Sequence, residues 1–284
     1  MLASGQPRIP ALEPWPGTPM NLQRIEVRLA RTPDELAQAQ RLRFEVFFEE
    51  CGARADTARR DTRLDADDYD AVMDHLLVID HARARGLGRV VGNYRLLPGA
   101  HLASGDDFYS GGEFDLAPLI ASGLRLLELG RSCVMREYRA LPVLQMLWRG
   151  IAEYAAQRRI ELMFGCASLR ESPERTIAAQ LALLHHAHLA PPNLRPMALA
   201  PHRVQPEPMP AGAGDRRGLR ALEPLVRGYL SAGAWIGDGG WRDDAFDCVD
   251  VCIVMPTSKL APRYQRQFRK PGVIAATAEL ECLS

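Results

Sequence analysis

Between residues 127 and 139 the chain reads LELGRSCVMREYR, and Glu128, Gly130 and Arg131 interrupt what is otherwise an apolar, strand-like run. A buried carboxylate without a partner shifts its pKa or costs several kcal/mol, so Glu128 must be paired, solvated or functional. Gly130 inside a strand predicts a bulge or a close backbone approach. Ser132 and Cys133 lack the Gly-x-Ser-x-Gly turn of a nucleophile elbow, and apolar neighbours should keep the Cys133 thiol protonated. Asp65, Asp67, Asp68, Asp70 and Asp74 form an acidic cluster. It suits a solvated loop or a cationic ligand, but it lacks the central Gly and terminal Glu of a calcium loop. Arg43 and Phe47 lie in a helical run where surface charge is ordinary. Arg95 ends a strand, as an edge charge or a ligand clamp.

Other groupings carry less. His185 and His188 share the helical stripe of Leu181 and Leu184, which favours packed neutral histidines over a metal site, and His186 adjoins them. Cys248 and Cys252 lie four apart in an apolar strand and read as core. There is no Gly-x-Gly-x-x-Gly and no Walker loop, so dinucleotide redox chemistry and nucleotide hydrolysis have no support.

These residues sit in a chain of 284, 47% hydrophobic and 25% charged, with 35 basic and 35 acidic side chains. That is globular composition, and the charge balance argues against a nucleic-acid binder. No run approaches the roughly 18 to 20 apolar residues of a membrane span. The first twenty residues lack the apolar core of an export signal, so a cytoplasmic protein with reduced cysteines is expected.

The elements that must position the candidates follow from periodicity. Residues 24–30 alternate as a half-buried strand. Thr32, Pro33 and Glu35 then open a helix carrying Leu36, Ala39, Leu42 and Val46. Residues 75–80, 88–97 and 124–135 predict three more strands. Pro142 begins a helix with Leu144, Leu147, Trp148, Ile151 and Tyr154 as its apolar stripe, and residues 160–167 return to strand, which implies a crossover unit. Ser172-Pro173-Glu174 opens a further helix; residues 219–232 and 247–255 add a last helix and strand. Five prolines in residues 1–20, and seven in 191–210 followed by Gly212 and Gly214, mark irregular chain. The expected organisation is an irregular segment 1–21, one α/β domain over 22–255 with a proline-rich loop 191–217, and a basic tail 256–284.

Taken in order, RFEVFFEECGA (43–53), DDYDAVMDHLLV (67–78), VVGNYRLLP (90–98), FDLAPL (114–119), LELGRSCVMREYR (127–139), Leu144, Leu147 and Trp148, FGCASL (164–169) and GAWIGDG (233–239) resemble one family. It is that of the acyl-carrier-protein-dependent ornithine N-acyltransferases, of the GNAT superfamily and similar to the acyl-homoserine-lactone synthases. The resemblance implies a central mixed sheet flanked by helices. It also implies transfer of a 3-hydroxyacyl chain from the carrier's phosphopantetheine thioester to the α-amino group of L-ornithine, with no metal or redox cofactor, giving lyso-ornithine lipid. Under it Glu128 is the general base, and Arg131 orients Glu128 or holds the substrate carboxylate. Arg43, Phe47, Asp68, Asp70 and Arg95 match the polar cluster of the acceptor pocket, with the acidic loop as counter-charge for ornithine's second ammonium. The turn after the Glu128 strand, residues 135–140, lacks the glycines that cradle a CoA pyrophosphate. Arg136 and Arg139 would instead meet the carrier arm's single phosphodiester.

Two other readings stay open: a GNAT enzyme using another amine or acyl-CoA, and a haemolysin-like membrane-active protein, which the lack of an export signal or span opposes. Residues 259–270 carry five cations and no acid, with Leu260, Tyr264 and Phe268 at every fourth place. A strip of that kind could rest peripherally on an anionic membrane.

Overall fold

The computed structural model describes residues 24–83, 88–139, 143–170, 176–207 and 222–260. The N-terminal segment, Pro142, the Ser172-Pro173-Glu174 start, Gly212, Gly214 and the tail beyond Leu260 lie outside them. Five strands build the first half: β1 (Ile25–Leu29), β2 (Asp74–Asp80), β3 (Val90–Pro98), the short β4 (Phe114–Asp115) and β5 (Leu126–Val134). Helices α1 (Pro33–Phe44), α2 (Thr57–Thr62) and α3 (Ala117–Ala121) fall among them. Helix α4 (Val143–Gln157) leads to β6 (Leu162–Leu169) and then α5 (Ile177–His188). The rest comprises β7 (Met197–Ala198), β8 (Arg203–Val204), α6 (Pro224–Ala232), β9 (Trp235–Ile236), β10 (Gly240–Asp243) and β11 (Cys248–Pro256).

The main sheet runs β1-β2-β3-β5-β6-β11-β10-β8, with β9 on β11; β4 and β7 pair separately. Its described pairs are antiparallel except β5 with β6, which the intervening α4 makes a parallel crossover. The alternation of β2 shows why helices cover both faces. Leu76 and Val78 pack with Val143, Leu147 and Ile151 of α4, whereas Leu77 and Ile79 pack with Ala39, Leu42 and Val46 beneath α1. Thr32 caps α1 by accepting from the Glu35 N–H at 3.2 Å. The helix then widens over Glu45–Glu50, where the Cys51 N–H reaches back five residues to the Val46 carbonyl. Such wide turns recur at functional sites.

Three expectations change. Leu144, assigned to the apolar stripe of α4, is 39% exposed. The histidines do not share one packed stripe: His186 is exposed, His185 reaches Asp238 at 3.3 Å, and burial lowers the His188 pKa. The packed chain also continues beyond residue 255, since β11 ends at Pro256 and Leu260 lies in the core. Cys51, Cys133, Cys166, Cys248 and Cys252 are free thiols, and no described helix is long and apolar enough to cross a membrane.

Candidate active site

Strands β5 and β6 share only three rungs: Leu126 with Leu162, Leu127 with Met163 and Glu128 with Phe164. Beyond them the strands part. A cavity of about 270 Å³ opens in the fork, bordered by Leu129 to Ser132 on β5 and Cys166 to Ser168 on β6. Gly165 stands at the branch point, where a Cβ would lie 2.1 Å from the Leu129 carbonyl oxygen. Gly165→Ala is therefore expected to cost about 1–3 kcal/mol through overpacking. Gly228→Ala in α6, where a Cβ meets nothing, should be neutral or stabilising. Thermal melts of the two variants separate these outcomes.

A bulge shapes the β5 wall. Gly130 pairs with Arg95 and Cys133 with Asn93, so Arg131 and Ser132 together face the single residue Tyr94. The left-handed residue is Arg131 (φ 50°), not the expected Gly130. The Asn93 amide donates to the Arg131 carbonyl at 3.0 Å and fixes the kink. In a regular pleat, residues three apart face opposite ways. Here the extra residue resets the alternation. Leu127 and Leu129 pack toward α4, but Cys133, of the same parity, packs under α1. Glu128 and Arg131 consequently border the same cavity.

Glu128 is 2% exposed. Its Oε2 accepts from the Tyr109 N–H at 2.8 Å, and its Oε1 accepts from the Ser110 N–H at 2.6 Å and from the Ser110 hydroxyl. A carboxylate has about four acceptor positions, so one stays open. Burial pushes its pKa above the ordinary carboxylate value, against the opposing hydrogen bonds from Ser110 and Tyr109. The expected Arg131 contact to Glu128 is absent among the described ion pairs; Ser110 and Tyr109 orient the carboxylate instead. Arg131 lies 3.2 Å from Asp65 and 4.0 Å from Asp67. Its guanidinium sits over three rings, Tyr109 at 5.1 Å, Phe246 at 5.2 Å and Phe47 at 5.9 Å, a cation–π cage.

The acidic loop is not an open counter-charge. Arg43, fully buried, donates through Nε to Asp65 at 3.1 Å, through Nη2 to Asp70 at 2.8 Å, and also to the Asp65 carbonyl. Arg95 donates to Asp67 at 2.6 Å and to Asp70 at 3.2 Å, and Arg59 pairs with Asp65 at 3.3 Å. Burial would raise the Asp70 pKa, but the hydrogen bond and charge of Arg43, with Arg95, hold it well below the carboxylate range. The loop thus spends its charge on arginines. Asp68 is exposed and takes no part, Asp65 and Asp67 filling the place assigned to it. Asp74 turns away to Tyr154 at 2.6 Å and Arg158 at 3.2 Å. Arg95 and Phe47 border the cavity, but Arg43 and Asp70 do not. Arg136 is exposed, and Arg139 pairs with Glu50 at 2.5 Å; both lie just beyond β5.

Sequence reasoning missed other residues of the lining: Tyr109, Ser110, Glu113, Cys166, Phe246 and Asp250. Asp250 gave the same signal as Glu128, an acid inside an apolar strand; Glu113 and Ser110, in a loop, gave none. Burial, with the charges of Glu113 and Asp250, pushes the Cys166 thiol well above its ordinary pKa. It remains protonated, a poor nucleophile.

Residues 42–149 match the acetyltransferase (GNAT) domain family. The fold is shared with a CoA-dependent acyl-homoserine lactone synthase solved with SAM and isopentyl-CoA. The TM-score is 0.50 at 14% identity, over 88% of this chain and 92% of that one. The mixed sheet that forks between β5 and β6, with the family match, defines a GNAT-fold acyltransferase. The chain is 40% identical over 247 residues to the L-ornithine N(alpha)-acyltransferase of Rhodobacter capsulatus, covering 86% of this chain and 95% of the relative. To the enzyme of that name from Brucella abortus it is 42% identical over 245 residues, covering 84% and 87%. The chain belongs to the L-ornithine N(alpha)-acyltransferase family.

Proposed function

We propose that the chain transfers a 3-hydroxyacyl group from the phosphopantetheine thioester of an acyl carrier protein to the α-amino group of L-ornithine, yielding lyso-ornithine lipid. The observation that carries this reading is the fork cavity itself, with Glu128 and Arg131 brought to one side of it by the bulge. An amine attacks a thioester only when neutral, so the site must remove a proton, stabilise the tetrahedral oxyanion and release the thiol. Glu128, through its open acceptor position or one water, takes the proton. N–H groups on the free edge of β5 beyond Glu128 receive the oxyanion. Arg131, aligned by its aromatic cage and by Asp65, takes the amino-acid carboxylate. Arg43, Asp70 and Arg95 hold that arrangement from below, and Phe47 completes the cage.

The donor assignment is supported by the turn Arg136–Tyr138 after β5, which has no glycine. Exposed Arg136, with Arg139 beside it once released from Glu50, is matched to one phosphodiester rather than a pyrophosphate. The thioester arm is cargo, and the chemistry asks for no resident cofactor. Leu260, the first apolar residue of the expected strip, is taken up by the core, so peripheral contact with an anionic membrane, where the product is delivered, is assigned to residues 261–270 alone.

Purified protein offered acyl-carrier protein and acyl-CoA separately, each with ornithine, lysine and glutamine, should give mainly the mass of N-acylornithine from the carrier donor. Faster turnover with acyl-CoA would overturn the donor assignment, and a preference for lysine or glutamine the acceptor assignment.

A further inference from the structure

Besides Arg131, the cavity lining carries carboxylates in a different condition from those of the acidic loop. Glu113, just before β4, and Asp250, on β11 across from Ser168 of β6, are each only 6% exposed. Neither they nor Asp243 at the end of β10 forms an ion pair among the described residues. The Glu113 Oε2 atom is buried and makes no hydrogen bond among the described residues, although the residue borders the cavity. A buried acceptor of this kind is costly unless a ligand completes it.

We infer that Glu113 and Asp250, with Asp243 beside them, bind the side-chain ammonium of the diamino-acid acceptor, the amino group that is not acylated. This rests on the reading that the acceptor is such an amino acid acylated at its α-nitrogen. It takes the role expected of the Asp65–Asp70 loop, whose acids the arginines already occupy. The substrate then lies across the fork, its carboxylate toward Arg131 and its far nitrogen toward the acids. A neutral side chain leaves Glu113 and Asp250 unmatched and is rejected for that reason.

The protonation of the pair fits. Burial, then the charge of Asp250, raises Glu113 to about 8, while Cys166 and Arg131 oppose the shift. Burial likewise raises Asp250 to about 6, against a hydrogen bond from Ser168 and the charge of Arg131, with Asp243 and Cys248 also facing it. Without ligand the pair retains a proton at neutral pH. An arriving ammonium displaces that proton, so binding weakens as pH falls below the Glu113 value.

The test compares L-ornithine with L-norvaline, the same carbon skeleton without the terminal ammonium, using acyl-carrier protein as donor. The readout is the ratio of their kcat/KM values, in which losses of folded protein or of proton transfer cancel. Wild type should favour ornithine by at least ~10²-fold. Glu113→Gln and Asp250→Asn should each bring the ratio to within about tenfold. If either variant fails to fold, wild type alone decides: its ratio should fall as pH drops through about 8, where Glu113 regains its proton. A wild-type ratio near one, a ratio unchanged in both variants, or a pH-independent wild-type ratio overturns the inference. So does a ratio that needs an added divalent metal and collapses with chelator. That result would make Asp243, Cys248 and Asp250, whose donor atoms lie within 4.8 Å of one another, metal ligands. A wild type that acylates neither amino acid refutes the proposed reaction instead.

Discussion

Glu128→Gln is expected to lower turnover by about 10²–10⁴-fold, the usual loss when a general base is removed. The amide is nearly isosteric, but it brings an NH₂ donor into a site where three donors converge from Tyr109 and Ser110. A stability cost of about 1–3 kcal/mol should accompany the substitution, because one buried donor loses its acceptor. Ser110→Ala separates the two effects. It keeps the carboxylate and removes one of its hydrogen bonds, so turnover should change far less than in Glu128→Gln. Single-turnover rates with saturating acyl-carrier protein, measured on protein shown by circular dichroism to be folded, make the comparison. A Glu128→Gln rate near that of wild type would discard the base assignment.

The largest stability effect is expected from Arg43→Met. Its guanidinium, fully buried, joins Asp65 and Asp70, and removing one member of such a network costs about 3–5 kcal/mol by leaving buried charge uncompensated. The sign of the pH dependence distinguishes this from simple loss of packing. In wild type the Asp70 pKa is depressed, so its contribution is fully present above the unfolded value of about 3.9 and is lost as pH falls through the lower folded value. In the variant Arg95 and Gln40 remain to oppose burial, so the depression of the Asp70 pKa, and the contribution that goes with it, shrinks. The gap between the two proteins, read from urea unfolding, should hold from pH 7 to about pH 4 and narrow below that, where wild type loses the Asp70 contribution. A constant gap would mean that packing alone accounts for the loss.

Which parts of the molecule were legible in the sequence follows from how each is stabilised. Strands β1, β2, β3, β5, β6 and β11, and helices α1 and α4, bury regular faces, so their periodicity survives in the residues. The two-residue strands β4, β7, β8 and β9 form through tertiary pairing and leave no pattern to find. The acidic loop was visible as charge, but its occupants were not, because Arg43, Arg59 and Arg95 reach it from three separate elements. Asp250 was within reach: it interrupts the apolar run of β11 as Glu128 does that of β5, but its cysteine neighbours suggested plain core. Glu113 was not, since a carboxylate in a loop is ordinary until the fold closes over it. Glu128 and Arg131 were both noticed, yet their spacing alone places them back to back. Only the kink at Arg131 makes them neighbours.

That kink has an evolutionary corollary. The two groups proposed to handle the reacting nitrogen and its carboxylate are inherited together on one stretch of backbone, at an offset that no loop movement alters. The acids proposed to read the rest of the amino acid arrive from a loop and from a distant strand. A descendant could therefore trade one amino acid for another by exchanging residues 113 and 250, keeping its chemical step intact.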